Sequence, residues 1–140
     1  MILYYVLTNS YNFSFSFPNL VQNSSVYIKT AVAARSFSAS SFSVKANSTN
    51  IQSISVAQVD PYYTADYAKL SSNFTTFNSS SSNINLAVSY NPSQNTSVGW
   101  LNYIELNARR QLKMNGNQML FRDNQLVADS TNAKYIISNA

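Results

Sequence analysis

Apolar and polar residues alternate with a period of two along much of this chain. Asn83-Ile84-Asn85-Leu86-Ala87-Val88-Ser89-Tyr90 sets Ile84, Leu86, Val88 and Tyr90 on one face and small or polar residues on the other. Ser25 to Arg35 repeats the pattern with Val26, Ile28, Val32 and Ala34, and Phe13, Phe15 and Phe17 alternate with Asn12, Ser14 and Ser16. An antiparallel sheet with one buried face produces this alternation. Helical spacing is confined to Asp66–Leu70, a piece short enough to be strand or turn.

Polar clusters punctuate these runs: Asn47-Ser48-Thr49-Asn50, residues 78–83 with their four consecutive serines, and Asn91-Pro92-Ser93-Gln94-Asn95. They read as loops, with Asn supplying left-handed turn positions in a chain that has only 2 Gly. Asn115-Gly116 is the dipeptide favoured in a two-residue type I′ turn, and it predicts a hairpin folding Tyr103–Met114 back on Asn117–Arg122. About eight to ten strands at this spacing predict an all-β fold, an antiparallel β-sandwich of the jelly-roll kind. We expect one such domain over residues 1–140, excised from a longer chain, because the sequence stops at Ser138-Asn139-Ala140 just after an apolar run.

Composition narrows the chemistry. Hydrophobic residues make up 45% of the 140 positions, with 10 Tyr and 8 Phe, which is material for a core rather than a disordered tract. Ser, Asn and Thr fill roughly a third of the chain, well above ordinary usage. There is no Cys and no His. Nucleophile–histidine dyads, thiolate or imidazole metal sites and disulfides are therefore excluded. The remaining acid–base candidates are Tyr, Lys and the carboxylates Asp60, Asp66, Glu105, Asp123 and Asp129, and no spacing forces two carboxylates across a cleft as glycoside hydrolysis requires. Asp123, Asn124 and Asp129 offer oxygen ligands for calcium without a recognised loop spacing, so no metal or other cofactor is assigned. The six Asn-x-Ser/Thr triplets discriminate nothing in a sequence so rich in Asn and Ser.

The net charge of +4 reflects scarce acids, since Lys and Arg total only 9. That is too dispersed for a nucleic-acid binder. Met1–Thr8 lacks a positive leading region and is too short to span a bilayer, as is every other apolar run. The one basic concentration is Arg109, Arg110, Lys113 and Arg122. On a strand Arg109 and Arg110 would point to opposite faces, so they share one patch only if the strand is interrupted. Either they serve solvent and an ion pair with Glu105 or Asp123, or they pin a neighbouring domain through bidentate contacts. Tyr62, Tyr63 and Tyr67 beside Pro61 form a candidate glycan-stacking platform, or alternatively cap the edge of the core.

Gly99-Trp100-Leu101-Asn102-Tyr103-Ile104-Glu105-Leu106-Asn107-Ala108-Arg109-Arg110-Gln111-Leu112-Lys113, followed by Phe121-Arg122-Asp123, resembles a known family. It is similar to the β-rich region preceding the catalytic domain in gingipain-like cysteine peptidases of family C25, in particular the sortases of the type IX secretion system in Bacteroidetes. Val32-Ala33-Ala34-Arg35-Ser36 is similar to an earlier strand of that region. The resemblance is specific over the last third of the chain. It implies an exported parent at the cell surface that cleaves C-terminal sorting signals from secreted cargo. The family's catalytic Cys and His belong to a separate domain, and no catalytic position carries over to a chain lacking both. What carries over is an accessory sandwich that braces the peptidase domain or faces cargo. Trp100, Tyr103, Ile104 and Leu106 are then fold determinants, and Arg109, Arg110 and Arg122 are interdomain contacts. The other reading, from the residues alone, is a carbohydrate-binding module of a cell-surface protein.

Overall fold

The computed structural model describes residues 5–7, 10–62, 66–114, 116–122 and 134–138. Eight strands are named among them: β1 (Tyr5–Leu7), β2 (Ser10–Ser16), β3 (Ser25–Arg35), β4 (Ser40–Ala46), β5 (Thr49–Val56), β6 (Lys69–Asn78), β7 (Asn83–Asn91) and β8 (Val98–Asn107). They form two four-stranded sheets, ordered β1-β8-β3-β6 and β2-β7-β4-β5. Every pairing between the named strands is antiparallel. This interleaved order, in which every sequence-neighbour pair except β4 and β5 lies in opposite sheets, is that of a jelly roll. No helix occurs among the described residues, and Asp66–Leu70 leads directly into β6.

The alternation seen in sequence becomes the division between inside and outside. Val26, Ile28, Val32 and Ala34 of β3 meet Phe42 and Val44 of β4, Ile54 and Val56 of β5, and Ile84, Leu86 and Val88 of β7 in one core. Phe13, Phe15 and Phe17 pack against that core while remaining half-buried. Gly99 permits a close approach at the centre. A Cβ there would lie 2.6 Å from the Tyr90 ring and 2.8 Å from Phe42. These two rings pack against each other, tilted by 39°, with centroids 4.7 Å apart. Gln52, a buried residue of β5, donates from Nε2 to the Asn73 carbonyl of β6 at 3.1 Å, joining the two sheets by a partly buried hydrogen bond.

The turns correct one expectation. Ala46 pairs with Thr49, and the two residues between them, Asn47 and Ser48, have φ of 45° and 74°. Positive φ at both central positions is the type I′ geometry, so the tight hairpin lies within a segment that reads as an ordinary loop. Asn47 fastens it to β7, its N–H donating to Asn85 O at 2.8 Å and its Oδ1 accepting from Asn85 N at 3.0 Å. Asn19 and Asn23 also have positive φ, in keeping with Asn replacing Gly at left-handed positions.

The expected hairpin of Tyr103–Met114 on Asn117–Arg122 does not form. β8 ends at Asn107, and residues 117–122 are not a strand. The backbone beyond β8 is paired elsewhere. Val21 N donates to Arg109 O at 2.9 Å, Gln111 N to Asn19 O at 2.8 Å, and Ser138 N to Leu112 O at 2.9 Å. Gly116 has φ of 82°, as a turn there requires, while Asn115 lies outside the described residues.

Candidate functional site

The end of β8 builds a basic groove. Because the strand stops at Asn107, the alternation that would separate Arg109 from Arg110 no longer applies. Both line a groove of about 730 Å³ together with Arg122 and Lys134. Arg110 is half-buried and fixed, its Nε donating to Pro18 O at 2.6 Å, while an antiparallel bridge joins its backbone to Leu20. Of the two suggested carboxylate partners, Glu105 instead accepts from Asn107 Nδ2 at 2.9 Å, and Asp123 lies outside the described residues. No Asp or Glu is among the described groove-lining residues. Lys113 is not among the groove-lining residues, and its backbone forms a parallel bridge with Ser138.

Beside the cations lie exposed apolar groups. Phe121 and Tyr135 line the groove with ring centroids 5.1 Å apart. Leu120 is exposed on the same wall, and Ile136 and Ile137 follow Tyr135. Arg110, Arg122 and Lys134 next to apolar surface suit an acidic partner with its own hydrophobic patch. Sequence reasoning placed the three arginines together only under an interruption of the strand, and it gave no sign of Lys134 or the flanking rings.

The tyrosine platform is rearranged. Tyr62 is exposed in the connection between β5 and β6, and Tyr63 lies outside the described residues. Tyr67 is 68% exposed and so does not cap the core. Its ring lies 4.3 Å from the Arg35 guanidinium and 6.3 Å from the Trp100 ring. Trp100 faces outward because β8 shifts register against β3, where Ala31 pairs with Tyr103 but Val32 pairs with Leu101, leaving Asn102 as the extra residue of a bulge. Ile104 and Leu106 pack on the core as expected. Trp100 and Tyr103 belong instead to the outer surface.

Acid–base chemistry finds little support in the carboxylates. Asp66 forms an exposed ion pair with Lys69 Nζ at 2.7 Å. The hydrogen bond and charge of Lys69 hold Asp66 below the ordinary carboxylate value, and Asp66 in turn raises Lys69. Asp60 is exposed, and Asp123, Asn124 and Asp129, the calcium candidates, lie outside the described residues. Among the described residues no group of three His, Cys, Asp or Glu side chains stands close enough to hold a metal, and no helix is long and apolar enough to cross a membrane.

No family model matches the chain, and no curated protein does. Solved structures do. The fold is similar to part of dimeric latent PorU from Porphyromonas gingivalis, with a TM-score of 0.62 and 19% identity over 81% of this chain. A tryptic core variant of Cry1Da from Bacillus thuringiensis aligns with a TM-score of 0.45 and 12% identity, over 76% of this chain and 18% of the other. The likeness to PorU is one of fold, and this chain spans 11% of the PorU chain.

Proposed function

We infer that this chain is a non-catalytic accessory domain of a type IX sortase-like protein and docks a neighbouring peptidase domain through the basic groove. The observation that carries this reading is the convergence of Arg109, Arg110, Arg122 and Lys134 beside exposed Phe121 and Tyr135. Arg110 is already held by Pro18 O, so less side-chain freedom is lost when a carboxylate binds it. The absence of Cys and His from the sequence assigns peptide cleavage to another domain. The fold likeness to a stretch of PorU, together with the Trp100–Lys113 motif, supports a parent of that kind, exported to the cell surface.

Coding sequence beyond Ala140 should encode a domain with a catalytic Cys and His. In that longer chain, Arg110→Glu with Arg122→Glu should split a shared calorimetric transition into two. Finding no such domain would sink the assignment. A transition left undivided by the charge reversals would remove the groove from it.

A further inference from the structure

The outward side of the sheet β1-β8-β3-β6 carries side chains that the basic groove does not use. The pairing register arranges them in rows across β6, β3 and β8: Phe74, Lys29 and Glu105; then Ser72, Ala31 and Tyr103; then Leu70, Ala33 and Trp100. On the central strand the two alanines are small, which leaves a shallow trough along β3. Trp100 and Tyr103 wall it on one side, Leu70 and Phe74 on the other. The walls stand about 10 Å apart, twice the spacing between neighbouring strands.

Lys29 and Arg35 mark the two ends of the trough, separated by six residues of strand, or about 20 Å. Each cation is positioned by a ring. Lys29 Nζ stands 5.8 Å from the centre of Tyr103, and the Arg35 guanidinium lies 4.3 Å from Tyr67 and 5.9 Å from Phe37. Tyr67 continues the aromatic line beyond Trp100.

Charged side chains stand within the apolar rows, Lys29 and Glu105 in the row of Phe74 and Arg35 beyond Ala33. Hydroxyl, carboxylate and ammonium groups also lie beside the rings, at Ser72, Tyr103, Glu105 and Lys29. A sugar ring has the matching surface, a flat C–H face bordered by hydroxyls, and stacks on an aromatic ring with its polar rim free to hydrogen-bond. Charge narrows the ligand further, since Lys29 and Arg35 outnumber Glu105 along the rows and Asp66, next to Tyr67, is already paired with Lys69.

We propose that this face binds a linear polysaccharide bearing carboxylate groups, with sugar rings stacked on Tyr67, Trp100 and Tyr103 and carboxylates paired with Lys29 and Arg35. The site is independent of the interdomain reading, because none of these residues lines the basic groove. It also differs from a Tyr62-Tyr63-Tyr67 platform, retaining only Tyr67.

Affinity electrophoresis through gels containing polygalacturonate or alginate tests this site. The protein should be retarded, less so at high salt. Tyr67→Ala and Trp100→Ala should each weaken retardation roughly tenfold, the scale of one lost stacking contact. Tyr67 lies outside the core, so its variant should keep the parent melting midpoint and remain informative if Trp100→Ala misfolds. Arg35→Ala should weaken binding, whereas Ser43→Ala on the other sheet and Arg110→Glu in the groove should not. Lack of retardation, equal retardation by a neutral mannan, or full retardation of Tyr67→Ala and Arg35→Ala would each overturn the proposal. Self-association abolished by Phe74→Glu in sedimentation runs would overturn it too, by giving the face to a second copy.

Discussion

The two outer faces of the sandwich are built on the same backbone pattern and carry opposite surfaces. On β2, β7 and β4, the outward positions are Ser10, Asn12, Ser14 and Ser16, then Asn83, Asn85, Ala87 and Ser89, then Ser41, Ser43 and Lys45. Three side-chain hydrogen bonds tie groups of this face across its strands. Ser14 Oγ donates to Asn85 Oδ1 at 2.7 Å, Ser89 Oγ to Ser10 Oγ at 3.0 Å, and Asn91 Nδ2 to Ser41 Oγ at 3.3 Å. On the other sheet, the outward positions hold Trp100, Tyr103, Tyr27, Leu70 and Phe74, and the last two are 77% and 75% exposed. Short polar side chains bonded across strands present a hydrated surface with little apolar area to offer a partner. Exposed rings and aliphatic groups retain apolar area that binding can remove from water. One face closes the molecule off, and the other leaves it ready for contact.

Both faces depend on a shared interior, and the strongest way to break the contrast is to disrupt it. Gly99→Val should destabilise the domain by about 3 kcal/mol, because added carbon atoms would meet the Tyr90 and Phe42 rings in a packed core. Thermal melting would show this as a large drop in midpoint. A midpoint near that of the parent would mean that the rings do not meet over Gly99.

The faces themselves should respond to substitution to different degrees. Ser14→Ala removes a cross-strand hydrogen bond to Asn85 and should cost about 0.2–1 kcal/mol. Phe74→Ser, on the ring-bearing face, should change stability by no more than about 0.5 kcal/mol, since an exposed side chain gains little from folding. Chemical denaturation of the two variants side by side measures the difference. If Phe74→Ser proved the more damaging, the exposed rings would be part of the domain's own packing.

The smallest expected effect is that of pH. With no His in the sequence, no side chain has an ordinary pKa between about 5 and 8, and the melting midpoint should be flat across that range. Departures should come from the ring-bearing sheet. Asp66 is held low by Lys69, so its contribution is present above the ordinary carboxylate value and is lost as pH falls through the lowered one. Lys29 is held high, first by the Tyr103 side chain, and Lys69 by Asp66. Their contributions are present below the ordinary lysine value and fade as pH rises through the raised ones. Asp66→Asn should flatten the acid side of the profile, and an unchanged acid limb would assign that dependence to other carboxylates.

Much of this molecule was legible in its sequence because period-two burial is a local property. Ser25–Arg35 and the run from Asn83 are strands that alternate as read, and the missing Cys and His excluded the common nucleophile–base sites before any fold was known. Register is not local. In sequence parity Trp100 belongs with Ile104 and Leu106, and only the bulge at Asn102, set by pairing with β3, turns Trp100 outward beside Tyr67. Arg109 and Arg110 share a groove because β8 ends before them, where their backbone pairs with residues 19–21 instead. Asn115-Gly116 carries the stronger hairpin dipeptide, yet Asn47-Ser48 makes the tight turn, because β4 and β5 have a sheet to join. The sequence by itself determined which residues alternate, which chemistry was absent and where the chain could turn. The tertiary structure decided which strands became neighbours, and with them which outward side chains formed a surface, because hydrogen-bond register depends on a partner strand far away in sequence.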